Sequence, residues 1–195
     1  NHEIIRSILQ KERPDILWFM TDPRFYTWLW EIENEVRANV PMVYYHVWDN
    51  FPAPHFNARY YNSTDEVVCI SKVTHQIVQQ TAPNVNATYL PHAVNSNIFH
   101  KYKDEERLEL VKNLRRRMGV SDGQVLLSTQ KVPPQDLANM YNSVDFTINI
   151  SDAEGFGLGT LESLSCGTPI IVNMTGGLQE QVTDGKNWFG HGIQP

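Results

Sequence analysis

Three glycines and two carboxylates lie close together in one stretch of the sequence, SDAEGFGLGTLESLSCGTPIIV. Gly155, Gly157 and Gly159 would let the backbone turn tightly and approach a ligand without a Cβ atom in the way. A helix that begins near Leu158 would direct its unpaired N–H groups and the positive end of its dipole towards that ligand. This combination predicts a phosphate site, and a diphosphate in particular.

The two glutamates of this stretch, Glu154 and Glu162, are predicted to bind hydroxyl groups. A carboxylate repels a phosphate, but it accepts strong hydrogen bonds from neutral hydroxyls. Glu154 would bind a sugar ring attached to the diphosphate, and Glu162, about one turn into the helix, would bind a ribose. A diphosphate with a sugar diol on one side and a ribose diol on the other is a nucleotide sugar. The residues alone also allow a plain glycine-rich turn between a strand and a helix, with a glutamate that stabilises the helix dipole.

The composition narrows the class of protein. Hydrophobic residues make up 41% of the 195 residues and charged residues 19%, which predicts a packed core in one ordinary domain or two small ones. The net charge of −6 argues against a general nucleic-acid binder. No apolar run approaches the ~18–20 residues of a membrane span, and the first residues do not have the pattern of a signal peptide. We therefore expect a cytoplasmic protein with no nucleic-acid partner.

Short apolar segments alternate with helical patterns, which indicates βαβ units and parallel sheets. In the first half we predict strands at ILWFM, VPMVYYHVWD, VVCI and ATYLPHAV, and helices over Glu3–Glu12, within TDPRFYTWLWEIENEV and at KVTHQIVQQTA. In the second half we predict strands at GQVLL, DFTINIS and PIIVN, and helices at KDEERLELVKNLRRRMGV, PQDLANMYNSV and LESLSC. A change in character near Phe99–Tyr102 suggests two α/β halves joined by a linker.

The segment EGFGLGTLE resembles the E-x7-E signature of retaining glycosyltransferases of GT-B fold, the family 4 group. The segments SLSCGTPIIV and GGLQEQVTDG follow it as they do in that family, and the resemblance covers most of residues 41–185. It implies an α/β protein with two Rossmann-like parallel-sheet domains that face a cleft, both incomplete in this chain. Residues 1–98 would form the acceptor-side domain, and residues 99–195 the nucleotide-sugar-binding domain.

The resemblance also implies roles for individual residues. Glu154 would bind hydroxyls of the donor sugar and take part in catalysis, and Glu162 would bind the nucleotide ribose. Backbone N–H groups between them would contact the sugar and the diphosphate; these belong to Gly155, Phe156, Gly157 and Leu158. The segment QKVPPQD would lie along the base, with Lys131 and Val132 as candidate contacts.

A histidine is the other candidate catalytic residue. His46 closes the predicted strand MVYYH, at the end of the strand where active sites of such sheets lie. The resemblance agrees, because a histidine after this strand commonly faces the donor sugar across the cleft. A core histidine without a chemical role is the alternative. His46 and His55 are not expected to bind a metal, because no third ligand with suitable spacing accompanies them.

The implied reaction moves a sugar from a GDP- or UDP-sugar to an acceptor hydroxyl with retention of anomeric configuration. The acceptor would be a glycan, a lipid or another hydroxyl compound, and no metal or cofactor is expected. A peripheral membrane contact is compatible with the sequence but not visible in it. Two alternatives remain: a nucleotide-sugar 2-epimerase or another GT-B enzyme, and a catalytically silent nucleotide-sugar-binding domain.

Part of the family pattern is missing from the second half. In the family, a strand like QVLL leads to an arginine, a helix and a lysine, and the two cations clasp the diphosphate. Here GQVLL runs directly into STQKVPPQDL. We therefore hypothesise that the chain joins separated pieces of a longer protein, with one junction near Leu127–Ser128.

Overall fold

The computed structural model describes residues 2–119 and 128–194. The chain divides into two compact units. The first consists of residues 1–92, 152–156 and 175–180, and the second of residues 93–151, 157–174 and 181–195. The strand predicted at GQVLL and the junction predicted near Leu127–Ser128 lie outside the described residues.

The first unit contains a parallel sheet of four strands in the order β1-β2-β3-β4. The strands are β1 (Leu17–Met20), β2 (Met42–His46), β3 (Glu66–Cys69) and β4 (Ala87–Tyr89). In the register of this sheet, Phe19 lies opposite Tyr44, and Tyr45 opposite Val68. The central strands β2 and β3 are mostly apolar, as expected for a sheet that is covered on both faces. All four strands predicted in this half are confirmed.

Five helices surround this sheet among the described residues of the first half: α1 (His2–Glu12), α2 (Thr27–Trp30), α3 (Glu33–Arg37), α4 (Ala58–Asn62) and α5 (Lys72–Thr81). The single helix predicted within TDPRFYTWLWEIENEV is wrong in detail, because two short helices, α2 and α3, replace it. Helix α5 begins after Ser71, whose Oγ accepts a hydrogen bond of 3.1 Å from the N–H of Thr74. Such a cap satisfies one of the free N–H groups of a helix end.

Aromatic side chains fill the core of the first unit around β2. The Tyr44 ring is fully buried; it stacks on Phe19 at a centroid distance of 5.2 Å and meets Trp30 edge-on at 5.4 Å. Leu29 and Val36, from α2 and α3, are also buried in this cluster. The packing fixes the carboxyl end of β2, which is the end that carries His46.

The second unit contains a parallel sheet of three strands in the order β5-β6-β7. The strands are β5 (Thr147–Asn149), β6 (Ile170–Asn173) and β7 (Gly190–Ile193), and the helices of this half are α6 (Asp104–Met118), α7 (Pro134–Ser143), α8 (Leu158–Ser165) and α9 (Leu178–Val182). Strands β5 and β6 and helices α6, α7 and α8 confirm the predictions, whereas α9 and β7 were not predicted. Among the described residues, no helix is long and apolar enough to cross a membrane.

Candidate functional site

Helix α8 begins at Leu158, at the position that the glycine-rich stretch predicts. Its N-cap, Gly157, has φ +90° and ψ +66°, a left-handed conformation that a Cβ atom disfavours. No side chain caps this end of the helix, and the first turn contains no acidic residue. The N–H groups of the first turn therefore keep their capacity to bind an anion.

Glu162 lies one turn into α8 and is held there by a tyrosine. The hydroxyl of Tyr141, on α7, donates a hydrogen bond of 3.0 Å to Oε2 of Glu162. Burial, followed by the negative charge of Glu162, raises the pKa of Tyr141 well above its usual range, so the phenol stays protonated and continues to donate. The other oxygen, Oε1, has no hydrogen bond to any described residue and can accept from a ligand.

A cavity of about 300 Å³ adjoins the first turn of α8 within the second unit. Its lining includes Tyr141, Gly159 and Thr160, together with residues of β5. Gln181 braces this turn, because its Nε2 donates 3.2 Å to the carbonyl of Gly157 and its Oε1 lies 2.5 Å from the Thr160 hydroxyl. The cavity is at the lower end of the ~300–1,000 Å³ range of small-molecule pockets.

The loop that carries Glu154 belongs to the first unit and rests on a second glycine-containing loop. The N–H of Gly177 donates a hydrogen bond of 2.9 Å to the carbonyl of Glu154, and the Thr175 hydroxyl donates 2.9 Å to the carbonyl of Asp152. A Cβ atom at Gly176, which has φ +46°, would lie 1.9 Å from the Glu154 carbonyl oxygen. Only glycine allows so close an approach, so Thr175–Gly177 holds the Glu154 backbone in place.

The side chain of Glu154 is half-buried and uncommitted. Its carboxylate has no hydrogen bond and no ion pair with any residue in the part of the chain that the structure describes. An ionised carboxylate can accept several hydrogen bonds, and partial burial strengthens each of them. Glu154 is therefore a ready acceptor for ligand hydroxyls.

Gly155 is close to protein atoms rather than to open space. A Cβ atom at this position would lie 2.8 Å from Cδ1 of Ile70 and 3.0 Å from the carbonyl oxygen of Val47. The next residue, Phe156, is buried and packs edge-on against His92 at a centroid distance of 5.2 Å. Packing within the first unit alone thus requires a glycine at position 155.

His46 is fully buried and both of its ring nitrogens are occupied. Nδ1 lies 2.9 Å from the Tyr44 hydroxyl, and Nε2 lies 2.6 Å from the Tyr61 hydroxyl on α4. The Tyr44 hydroxyl donates its single proton to the carbonyl of Thr21, so it must accept from His46 Nδ1. Burial lowers the pKa of His46 to about 3, which leaves a neutral ring with its proton on Nδ1.

This tautomer fixes the direction of the remaining bonds around His46. Nε2 is an acceptor and receives the proton of Tyr61, whose oxygen in turn accepts from the amide of Asn57 at 3.4 Å. A contact between His46 and a sugar would require one of the two tyrosine bonds to break. The catalytic role expected for this histidine stays a prediction.

The nine residues that the sequence singles out fall into two sets. His46, Glu154, Gly155 and Phe156 belong to the first unit, and Lys131, Val132, Gly157, Leu158 and Glu162 to the second. Lys131 and Val132 are both exposed, on the segment before α7. The ligand contacts expected of these residues stay predictions.

Comparison with known proteins places the second half of the chain in a family. Residues 96–192 match the family described as glycosyl transferases group 1. Over these residues, the chain belongs to the group 1 glycosyltransferases. The resemblance to a glycosyltransferase family is thereby confirmed, whereas the retaining reaction and the roles of the two glutamates stay predictions.

The curated relatives of the chain are much longer than the aligned segments. The D-inositol 3-phosphate glycosyltransferase of Acidothermus cellulolyticus is 33% identical over 107 residues, which cover 55% of this chain and 23% of the relative. A protein of the same name from Kribbella flavida is 37% identical over 91 residues, 45% of this chain and 21% of the relative. The chain thus matches less than a quarter of the length of either protein.

A solved structure supports the fold over the whole length of the chain. The crystal structure of Anabaena HepE in complex with UDP-glucose has a TM-score of 0.71 at 16% identity, and the match covers 100% of this chain and 68% of that one. At this identity the likeness bears on the fold alone. The chain has a partial GT-B fold with Rossmann-like parallel sheets, so the expected fold class is confirmed.

Three supporting features of the candidate site were not predicted from the sequence. Tyr141 anchors Glu162, Thr175–Gly177 supports the Glu154 loop, and Tyr61 binds His46. Of these, only the glycine pair of TGGLQ has a visible pattern in the sequence, as part of the segment GGLQEQVTDG that resembles the family. Among the described residues, no group of three or more histidine, cysteine, aspartate or glutamate side chains is placed to hold a metal ion.

Proposed function

We propose that this chain is part of an enzyme that transfers a sugar from a nucleotide diphosphate sugar to an acceptor hydroxyl, with retention of anomeric configuration. The observation that carries the proposal is the start of α8. An N-terminus without a side-chain cap or an acidic first turn is followed, one turn later, by Glu162 anchored through Tyr141. The helix end suits a diphosphate, and the anchored carboxylate suits the ribose next to it.

In the proposed reaction, the bond between the anomeric carbon and the diphosphate oxygen breaks while the acceptor oxygen bonds to the same face of the sugar. The acceptor proton passes to the departing phosphate oxygen. Negative charge grows on the diphosphate as it leaves, and the N–H groups and dipole of α8 stabilise that charge. Glu154 accepts hydrogen bonds from the sugar hydroxyls and holds the ring in place. The proposal includes no resident metal or cofactor.

UDP-sugars are the first donors to test, with GDP-sugars second. The solved structure with the same fold contains UDP-glucose, although its 16% identity to this chain carries no statement about the base. Lys131 and Val132 would lie beside the base in this proposal. Both are exposed and available for such contacts.

A donor screen tests the binding half of the proposal. Thermal unfolding is followed with UDP-glucose, GDP-glucose and ADP-glucose, in the wild type and in Glu162→Gln. A ligand at 100 times its Kd should stabilise the wild type by about 2.7 kcal/mol. Glu162→Gln should lose much of that shift, whereas Glu109→Gln, which changes an exposed glutamate of α6, should keep it. No stabilisation by any of the three donors would contradict the proposal.

A catalytically silent nucleotide-sugar-binding domain is the second candidate. The sequence contains no lysine or arginine between Arg117 and Lys131, the segment where the family resemblance expects two cations on the diphosphate. Fewer cations would leave the charge of the departing diphosphate less stabilised. This candidate predicts that a donor stabilises the chain but is neither hydrolysed nor transferred over hours.

A further inference from the structure

His92 lies beside the loop of Glu154 within the first unit, and the site described above gives it no role. It follows β4 by three residues. Its ring packs edge-on against that of Phe156, two residues after Glu154, at a centroid distance of 5.2 Å. Phe156 belongs to the backbone segment that is predicted to contact the donor sugar. The side chain of His92 is only half-buried, so part of its ring remains accessible.

Tyr45, on β2, determines which ring nitrogen of His92 carries the proton. The Tyr45 hydroxyl lies 3.0 Å from the carbonyl oxygen of Leu90 and 3.1 Å from Nδ1 of His92. A carbonyl oxygen can only accept a hydrogen bond, so the single proton of the hydroxyl goes to Leu90. Nδ1 of His92 must then donate to the Tyr45 oxygen. In a neutral imidazole this leaves Nε2 without a proton.

The ring of His92 is neutral and fixed in orientation. Burial lowers its pKa below the usual value near 6.5, so only one ring nitrogen is protonated at neutral pH. Tyr45 is itself held by stacking on Trp18 at a centroid distance of 5.4 Å, and its ring lies 5.3 Å from that of His92. The hydrogen bond from Nδ1 to this tyrosine and the contact with Phe156 together fix the direction of Nε2.

Nε2 of His92 is an unused hydrogen-bond acceptor. It has no hydrogen bond to any residue that the structure describes. It is also accessible, because the only side-chain nitrogen or oxygen atoms buried without a partner in the described residues are Oε1 of Glu66 and Oγ1 of Thr81. A nitrogen lone pair does not bind the oxygens of a diphosphate, since these are acceptors too. It suits a hydroxyl group, which can donate.

We propose that His92 helps to select the donor sugar, with its Nε2 accepting a hydrogen bond from one sugar hydroxyl. The contact with Phe156 places His92 at the loop of Glu154, whose carboxylate is likewise uncommitted. A sugar ring with several hydroxyls can donate to both of these groups at once. The contact with a sugar rests on the proposed transferase function, whereas the tautomer of His92 and its unused Nε2 do not.

Nitrogen-15 NMR of the full chain reports the protonation of each ring nitrogen. The probes are UDP-glucose and UDP, or GDP-glucose and GDP if the guanosine donor binds more tightly. In the free chain at pH 7, the Nε2 signal of His92, assigned by its loss in His92→Phe, should be that of an unprotonated nitrogen. The sugar nucleotide should shift it as hydrogen bonding to an acceptor does, and the free nucleotide should not. A protonated Nε2 in the free chain, or an equal shift with the free nucleotide, would overturn the proposal.

Calorimetric titration of two variants measures what the contact contributes to affinity. His92→Asn keeps an amide near the Nδ1 position, which can still donate to Tyr45, but has no acceptor at the Nε2 position. It should bind the free nucleotide as the wild type does. The ratio of its affinities for sugar nucleotide and free nucleotide should fall about fivefold, the effect of one net hydrogen bond. His92→Gln, whose side-chain carbonyl can reach the Nε2 position, should retain part of the ratio.

His55→Asn is the control, because His55 is an exposed histidine of the first unit outside the loop of Glu154. It should keep the wild-type ratio of affinities. A wild-type ratio in His92→Asn would reject the role of His92 and leave the transferase proposal intact. Failure of the wild type to bind either sugar nucleotide would reject the transferase proposal and, with it, the contact between His92 and a donor sugar.

Discussion

The three glycines of EGFGLG are required for three different local reasons. Gly157 adopts a positive φ of +90° at the start of α8. Gly155 is packed against Ile70 and the backbone of Val47, with no space for a Cβ atom. Gly159 is on the helix, where a Cβ atom would lie 3.3 Å from the Tyr141 hydroxyl. Glycine at 159 thus leaves room for Tyr141, which anchors Glu162. Removal of one atom, the hydroxyl oxygen of Tyr141, would abolish this hydrogen bond.

Tyr141→Phe should weaken nucleotide binding by about tenfold, because a net hydrogen bond to a charged group is worth about 1.5 kcal/mol or more. The change removes the hydroxyl that donates to Glu162 and leaves the ring packed. The Kd of UDP, measured by calorimetry, should rise, and the midpoint of thermal unfolding should also fall, because the bond is present without a ligand.

Tyr102→Phe is the matched control for this prediction. The Tyr102 hydroxyl donates 2.6 Å to Asn139 on the same helix, α7, but does not contact Glu162. Its removal should leave the Kd of UDP at the wild-type value. An equal rise in both variants would mean that α7 as a whole, and not the anchoring of Glu162, determines the affinity.

At the scale of elements, the loop of Glu154 depends on the turn before α9. The Gly176 position approaches the Glu154 carbonyl so closely that a methyl group would have to displace one of the two loops. Gly185 also has a positive φ, of +91°, but no atom lies within 4 Å of the Cβ position. Alanine at each of the two positions therefore distinguishes the cost in stability of a left-handed backbone from the cost of a steric clash.

Gly176→Ala should lower both stability and donor turnover, because overpacking costs about 1–3 kcal/mol and moves Glu154. Gly185→Ala should cost only the backbone strain of about 1–2 kcal/mol and should keep wild-type turnover. Thermal unfolding and the rate of donor consumption are measured for both variants. Equal loss of turnover in the two would show that the Glu154 loop does not depend on Gly176.

The elements that the sequence analysis predicted correctly have a clear period or a long apolar run. Strand β2 and helix α5 are examples, and the glycine-rich stretch also predicted a helix start near Leu158, where α8 begins. Helices α4 and α9, with five residues each, are too short to show a helical period. Strand β7, GHGI, has few of the residues typical of strands. Its pairing with β6 depends on Gly190. A Cβ atom at this position would lie 1.8 Å from the Ile170 carbonyl oxygen.

Only part of the candidate site was predicted, because the groups that hold its carboxylates are distant in sequence. Glu162 and Glu154 were found by their spacing, but their supports come from residues distant in sequence, Tyr141 and Gly177. His46 was placed correctly at the end of β2, yet its burial depends on α4, which was not predicted. Sequence spacing locates a carboxylate more easily than it locates the groups that hold it.

At the scale of the whole molecule, a buried neutral histidine makes stability depend on pH. His46 has a pKa of about 3 in the folded chain, below the usual value near 6.5. Between those values the unfolded chain binds a proton that the folded chain does not. Stability is therefore fully present above about pH 6.5 and falls as the pH is lowered towards 3. Between pH 7 and pH 5 the loss attributable to His46 should be about 2 kcal/mol.

His46→Gln should flatten this dependence, whatever its effect on absolute stability. Urea unfolding at pH 7 and pH 5 can be followed by tryptophan fluorescence, because Trp18, Trp28, Trp30 and Trp48 all belong to the first unit. Two controls are His55→Gln, which changes an exposed histidine, and Tyr61→Phe, which retains His46. In both, the free energy of unfolding should differ between pH 7 and pH 5 as it does in the wild type. An unchanged difference in His46→Gln would refute a buried neutral His46.

The role of Glu154 is the most direct test of the proposed reaction. The measurement is the rate of nucleotide release from the donor that stabilises the chain most, in the wild type, in Glu154→Gln and in Asp152→Asn, an exposed carboxylate of the same loop. We expect Glu154→Gln to lower the rate by about 100-fold or more, as when one stabilising group of a transition state is removed, with the Kd of the free nucleotide unchanged. Asp152→Asn should react as the wild type does. A wild-type rate in Glu154→Gln would contradict the account.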